Sequence, residues 1–327
     1  AAALNLATAS RAVCNDDFLN RLREKAVRTL YVTMRDTYMD CPDRERSQWW
    51  GDEVNELGEA FYATDLKGHK LAYKGIHELM GWQREDGVIF SPCPAGNWGN
   101  ELPAQMLASV GYYGFRTYYF YSGDASFIPT VYDRMKRYLH DVWKLDEDGL
   151  VITREGDWSW GDWGDNIDLN LLLNAWYYLA LKGEREFAQI LQKEADVQMI
   201  TAIMKKMEAN FNKRFWTGIA YRSPEYQGET DDRGQALAVL AGFAKRDQYP
   251  FIYNVLQKEY HASPYMEKYV GEALFVMGYP TFALERTRTR FANMVNHPTY
   301  TTLWEGWGIG AEGFGGGSIN HAWSGDA

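Results

Sequence analysis

The densest chemistry in the chain is Asp40-Cys-Pro-Asp-Arg-Glu-Arg-Ser-Gln-Trp-Trp-Gly-Asp52, with four carboxylates, two guanidiniums and two indoles in thirteen residues. Crowded carboxylates raise one another's pKa, so one can keep a proton near neutrality while its neighbours stay ionised, and Arg44 and Arg46 can decide which. Such a cluster can make a general acid. Pro42 and Gly51 interrupt regular backbone, so the side chains can converge in a pocket instead of spreading round a helix. An exposed loop of local ion pairs would use the same charges; Trp49 and Trp50 within the stretch favour a site.

A second carboxylate, Glu305, lies between two indoles in Thr301-Thr-Leu-Trp-Glu-Gly-Trp-Gly308. Set across a pocket from the first cluster, it would complete what glycosidic cleavage needs: an acid for the leaving oxygen and a base for water. A helix cap or an arginine pair is the structural alternative for Glu305. In Gly156-Asp-Trp-Ser-Trp-Gly-Asp-Trp-Gly-Asp165, Asp157, Asp162 and Asp165 alternate with Trp158, Trp160 and Trp163. Rings that stack and carboxylates that accept hydrogen bonds suit a sugar. Calcium is the rival for an Asp/Gly loop, but the EF-hand pattern is absent and the indoles would crowd an ion. His321 follows a triple glycine and precedes Trp323, which places it for a hydrogen bond to substrate.

Other chemistries find no residues to carry them. No hydrolase elbow, P-loop or dinucleotide fingerprint occurs, and Cys14, Cys41 and Cys93 match no zinc spacing and cannot all pair. No metal and no cofactor is expected. A net charge of −10 without any Lys/Arg run excludes a phosphate backbone or an anionic membrane as partner. No long apolar stretch predicts a membrane span, and the first residues do not read as a signal peptide. The compartment is undecided, with a periplasmic or secreted setting preferred to a cytoplasmic one. The aromatic content of 15%, with 13 Trp and 22 Tyr, points instead toward sugars, whose rings present apolar faces and hydroxyl rims.

The elements that must position these residues read as helices. Amphipathic periodicity covers 16–34, 53–64, 67–80, 103–121, 127–145, 168–181, 184–211, 234–244, 249–260, 265–277 and 281–295. Turn-rich aromatic loops at 91–100, 154–165, 222–233 and 300–318 separate them, and 150–153 is the one short strand candidate. Helices joined alternately by short turns and long loops predict hairpins in a ring: an all-α (α/α)6 barrel. No linker or composition shift divides 1–327, so a single domain is expected. A further pattern starts at Ile319 and stops with the sequence, which reads as a last helix cut short in a piece of a longer multidomain protein.

Taken together, these segments resemble glycoside hydrolase family 78, the α-L-rhamnosidases. The 40–52 stretch is similar to that family's Asp-Cys-Pro-x-Arg-(Asp)-Glu-Arg-x-x-Trp-x-Gly-Asp signature. Asp157-Trp158 or Asp162-Trp163 resembles its Gly-Asp-Trp loop, Thr302-x-Trp-Glu305-x-Trp307 its Thr-x-Trp-Glu-x-Trp segment, and Asn320-His321 its late Asn-His. The resemblance implies an inverting hydrolase of terminal α-L-rhamnosides, with Glu45 as general acid and Glu305 as general base. It implies that Asp40 and Asp52 hold sugar hydroxyls and that Arg44, Trp49, a Gly-Asp-Trp pair, Trp307 and His321 line the pocket. The partner would be a rhamnose-containing glycoside, oligosaccharide or polysaccharide. Accessory β-sandwich domains, usual before such barrels, are missing from this sequence. One residue is absent before Glu45, and Gln48 stands where glycine is frequent, which bears more on the sugar than on the reaction type. Two alternatives stay in view: the same barrel acting on another sugar, as in glucoamylase-like or unsaturated uronyl hydrolases, and a carbohydrate-binding barrel without turnover.

Overall fold

The computed structural model describes residues 13–65, 67–94, 99–310 and 317–326. Twelve α-helices run through them: α1 (Asp17–Thr33), α2 (Trp50–Ala63), α3 (His69–Gly81), α4 (Pro103–Val110), α5 (Phe115–Ser122), α6 (Ile128–Arg137), α7 (Leu169–Ile190), α8 (Glu194–Phe215), α9 (Asp232–Ala241), α10 (Tyr249–Leu256), α11 (Pro264–Met277) and α12 (Pro280–Asn296). A π-helical turn, Tyr138–Val142, continues α6, and a 3-10 turn, Ala322–Asp326, follows the last loop.

Helix composition sorts them into two layers. α2, α4 and α9 are buried on nearly every side, α9 from Asp232 to Val239 without interruption, as befits inner helices. α6 and α8 bury one stripe each: Ile128, Val131, Tyr132 and Met135, and Ile200, Met204, Met207, Phe211 and Phe215. Accordingly α2, α4, α7, α9, α11 and the Ala322–Asp326 turn pack each on the next round a closed inner wall, and the turn packs back on α2. α1, α3, α6, α8, α10 and α12 lie outside them. This is the six-hairpin (α/α)6 barrel that the sequence predicts. Among the described residues no helix is long and apolar enough to cross a membrane.

Glycine decides two boundaries that periodicity alone misplaces. The single helix expected over 103–121 is α4 and α5, because the chain turns at 111–114, where a Cβ on Gly114 would lie 1.8 Å from the Ser109 carbonyl oxygen. The break expected between 181 and 184 does not occur. Gly183 is a packing residue inside α7, its Cα facing the Gly111 backbone so closely that a Cβ would be 3.1 Å from it. The helix stops instead at Leu191, where Gln192 takes φ 57°. The 150–153 segment makes only an isolated bridge between Leu145 and Val151. Trp50, Gly51 and Asp52, read as loop, form the first turn of α2.

α2 also carries Glu53, Glu56 and Glu59, all buried and with no hydrogen-bond partner for any carboxylate oxygen. Burial pushes all three well above the ordinary carboxyl pKa, and for Glu56 the charges of Asp52, Glu53, Asp40 and Glu59 add to it. The folded chain therefore keeps protons that the unfolded chain loses above about pH 4.3. Their contribution is full below that pH and is lost as pH rises through the folded values. Melting is thus expected at a higher temperature at pH 5 than at pH 8. Glu56→Gln, which keeps the shape and cannot ionise, should stabilise by about 1–2 kcal/mol at pH 8 and by less at pH 5. Equal effects at the two pH values in thermal denaturation would contradict this account.

Candidate active site

The 40–47 segment closes on itself just before α2. Asp40 N–H donates to the Ser47 carbonyl at 3.0 Å, Ser47 N–H returns to Asp40 Oδ1 at 2.9 Å, and Arg46, at φ 54°, donates from Nε to the Pro42 carbonyl at 2.7 Å. This knot presents Asp40, Arg44 and Glu45 on one side. Trp50 N–H donates to Ser91 Oγ at 2.9 Å, which caps α2 and fixes Asp52 in its first turn, where the helix dipole favours a carboxylate.

Opposite them, Glu305 is 1% exposed and tied at both ends. Its N–H donates to the Ser318 carbonyl at 2.9 Å, and its Oε2 accepts the Ser318 N–H at 3.0 Å. Trp323 Nε1 donates to its carbonyl at 3.1 Å. The Arg44 guanidinium spans the gap: Nε donates to Glu45 Oε2 at 2.6 Å, and the two terminal nitrogens lie 3.3 Å from the oxygens of Glu305. His321 Nε2 lies 2.7 Å from Asp52 Oδ1, with Nδ1 3.9 Å from Glu305 Oε2.

The aromatic loop forms the facing wall. Gly156, at φ 61°, lets the backbone pass so near Glu101 and Pro103 that a Cβ would be 2.8 Å from each, and both Asp157 and Trp158 N–H groups donate to the Glu101 carbonyl at 3.1 Å. Beyond that turn Trp158, Trp160 and Trp163 gather with centroids 5.7–6.4 Å apart, and Trp160 stacks on Trp323 at 6.0 Å.

These groups enclose a cavity of about 260 Å³. Of the residues expected at a pocket, Asp40, Arg44, Glu45, Trp49, Asp52, Trp158, Trp163, Glu305 and His321 line it. Asp157, Asp162 and Trp307 do not. Asp157 turns outward, accepting Arg84 and the Glu101 N–H at 2.8 Å each. Asp162 is buried behind the wall, accepting Arg233 at 3.1 Å and the Ser263 N–H at 2.8 Å. Trp307 lies under Arg290, 4.1 Å from ring centroid to guanidinium, and donates to the Ala262 carbonyl at 2.9 Å. Trp160, read from the sequence as part of the sugar-suited loop, also lines the cavity, as do Leu102, Gln105 and Trp323, which sequence reasoning passed over as pocket residues. Trp160 and Trp323 carried a signal, since both stand in segments already singled out; Leu102 and Gln105 at the start of α4 carried none.

The electrostatics are set by Arg44 and His321 among several acids. Burial raises Asp40, reinforced by Asp52 and Glu45 and opposed by His321 and Cys41. Burial raises Glu45 too, but the Arg44 guanidinium and the hydrogen bond with Asp40 outweigh it, and the net shift is downward. Burial raises Asp52 against the hydrogen bond to His321. For His321 burial works downward, yet the carboxylates of Asp52, Glu305 and Asp40 raise it overall.

Among the described residues two groups place three ligand-type atoms within 4.8 Å of one another: Asp40, Cys41 and His321, and Glu229, Glu259 and His261. Burial and Asp40 push the Cys41 thiol far up, so it is a neutral thiol, a poor metal ligand. In the second group Asn166 Nδ2 faces His261 Nδ1 at 3.5 Å, and Nε2 lies 3.3 and 3.2 Å from Glu229 and Glu259. It reads as an ion-pair knot joining loops.

Comparison with known proteins agrees with this arrangement. Residues 7–327 match the family described as the bacterial alpha-L-rhamnosidase 6 hairpin glycosidase domain. A family 78 rhamnosidase of Bacillus sp. GL1 superposes with TM-score 0.82 at 23% identity, over 96% of this chain and 34% of that one. An alpha-L-rhamnosidase from Dictyoglomus thermophilum gives 0.78 at 22%, over 96% and 37%. A rhamnosidase from Klebsiella oxytoca, solved with rhamnose bound, gives 0.80 at 19%, over 97% and 64%. The chain thus spans about a third of the length of the first two. The comparison with curated proteins gave no match. Barrel, pocket and a family match that runs through both acidic segments agree, and the chain belongs to the family of bacterial alpha-L-rhamnosidase six-hairpin glycosidase domains.

Proposed function

We propose that the chain hydrolyses terminal α-L-rhamnosides with inversion at the anomeric carbon, Glu45 protonating the leaving oxygen and Glu305 deprotonating water. The observation that carries this reading is the single guanidinium of Arg44 between Glu45 and Glu305 in an otherwise acidic, indole-walled pocket. A gap that holds a planar cation also has room for a water, which supports the wider carboxyl spacing of an inverting pair, roughly 6.5–9.5 Å, over the roughly 5 Å of a retaining one.

The sugar enters between the glutamates and displaces Arg44, whose side chain is about a third exposed. Trp49, Trp158 and Trp163 offer faces to the ring, and Asp52 and His321, locked together, accept and donate to its hydroxyls. As the glycosidic bond lengthens, positive charge builds at the anomeric carbon, and the surrounding carboxylates stabilise it. Glu305, fixed by Ser318, takes the proton of the attacking water from the far face. No covalent intermediate forms.

Hydrolysis of p-nitrophenyl α-L-rhamnoside followed by proton NMR tests the proposal: β-L-rhamnose should be the first anomer released. First release of the α anomer would overturn the inverting assignment. Turnover of another glycoside with none of rhamnoside would overturn the substrate.

A further inference from the structure

We infer that Gln105, at the start of α4, is a specificity-determining residue: its carboxamide takes the 4-hydroxyl of the bound 6-deoxy sugar, beside a seat for the C5 methyl on Leu102. The inference rests on the rhamnoside substrate proposed for the site.

Gln105 lines the cavity and is 3% exposed, yet its carboxamide hydrogen-bonds to no described residue. An amide buried in this way is destabilising, because water has been taken from its donors and acceptor and nothing in the protein replaces it. Every other polar side chain on the cavity wall, the indoles apart, is engaged: Arg44 with Glu45 and Glu305, Asp52 with His321, and Asp40 with the Ser47 N–H. Gln105 is also the one uncharged member of that set.

The surrounding backbone holds the amide in place. A Cβ on Gly51 would lie 2.1 Å from Gln105 Cδ and 2.4 Å from Nε2, so glycine at 51 leaves the carboxamide room to lie on the first turn of α2, next to Asp52. The start of α4 is fixed in turn, since the Glu101 carbonyl accepts the Asp157 and Trp158 N–H groups and the Glu101 carboxylate accepts Arg154 at 2.6 Å. A group so placed and so unpartnered is prepared for a ligand. An amide offers donors and an acceptor together, which matches a hydroxyl, itself both donor and acceptor.

The neighbour selects the hydroxyl. Leu102 precedes Gln105 by three residues, so the two share a face of α4, and Leu102 is the one aliphatic side chain that lines the cavity. An apolar and a polar position side by side on one helix match a methyl and a hydroxyl side by side on the sugar ring. In a 6-deoxy hexose these are the C5 methyl and the 4-hydroxyl.

Calorimetric binding of L-rhamnose and of 4-deoxy-L-rhamnose tests the contact without relying on turnover. Wild type should bind L-rhamnose about tenfold or more the tighter. Gln105→Met, which keeps the length and loses both hydrogen-bonding ends, should bind the two sugars alike, at the weaker level, since either change deletes the same contact. Its melting temperature should hold or rise, because the amide has no protein partner to lose. Equal affinity of wild type for the two sugars would overturn the inference with no variant involved. A preference for L-rhamnose that survives in Gln105→Met would overturn it as well, by placing the 4-hydroxyl elsewhere. A fall in melting temperature with equal losses on both sugars would make Gln105 a packing residue and likewise overturn it. Wild type that binds L-rhamnose but turns over no rhamnoside would refute the proposed function and leave the contact standing; wild type that does neither would remove both.

Discussion

Glu305→Gln is expected to lower kcat/KM for rhamnosides by about 10²–10⁴-fold whatever the leaving group, as loss of a general base does. The pocket itself should be preserved, because glutamine can still accept the Ser318 N–H that holds position 305. Glu45→Gln is expected to behave differently. A nitrophenolate leaves without much help from an acid, so aryl rhamnosides should retain far more activity than alkyl or sugar rhamnosides. Steady-state kinetics on one aryl and one disaccharide substrate separates the two roles. Equal losses on both substrates in Glu45→Gln, or a leaving-group dependence in Glu305→Gln, would reverse or refute the assignment. The two substitutions also act oppositely on Arg44: each removes one carboxylate and leaves the guanidinium held by the other.

The largest expected effect on stability lies behind the indole wall. Arg233, fully buried, donates from Nε to Asp231 at 2.6 Å and from a terminal nitrogen to Asp162 at 3.1 Å. Its other terminal nitrogen donates to the Asp165 and Asn166 carbonyls at 2.8 and 2.9 Å. One side chain thus ties the start of α9 to the loop that carries Trp158, Trp160 and Trp163. Arg233→Met leaves two buried aspartates without their cation and should cost about 3–5 kcal/mol. Arg233→Lys should recover little, because an ammonium cannot reach four oxygens in a planar fork. The wall would loosen with it, so a rise in KM should accompany the fall in melting temperature. Denaturant unfolding that shows a loss below about 1 kcal/mol would mean that the aspartates find protons or water at small cost.

Much of the candidate site can be read from local sequence because its chemistry sits in short, crowded segments. Asp40, Arg44, Glu45, Trp49 and Asp52 converge through a loop that hydrogen-bonds to itself within eight residues, and the start of a helix. Asp157 and Asp162 show where this stops. They occupy equivalent places in two Gly-Asp-Trp units, yet both turn away from the cavity, one to Arg84 and the other to Arg233, residues 73 and 71 positions away in the chain. Only the indole halves of those units, Trp158 and Trp163, face the pocket. Trp307 is drawn off by Arg290 in the same manner.

By itself the sequence determined the helical periodicity, the ring of hairpins and the acid-and-indole chemistry, because each is set by residues near one another along the chain. Tertiary structure decided what depends on distant partners. It made Gly183 a packing residue where local rules read a stop, and it turned two aspartates from the pocket to the wall's foundation. It also brought Arg44 and Glu305, 261 residues apart, into contact across the cavity. Which carboxyl is pushed up and which down belongs to the same class: Asp40 and Glu45 differ less in type than in burial and in the nearness of one guanidinium, and those are properties of the folded chain alone.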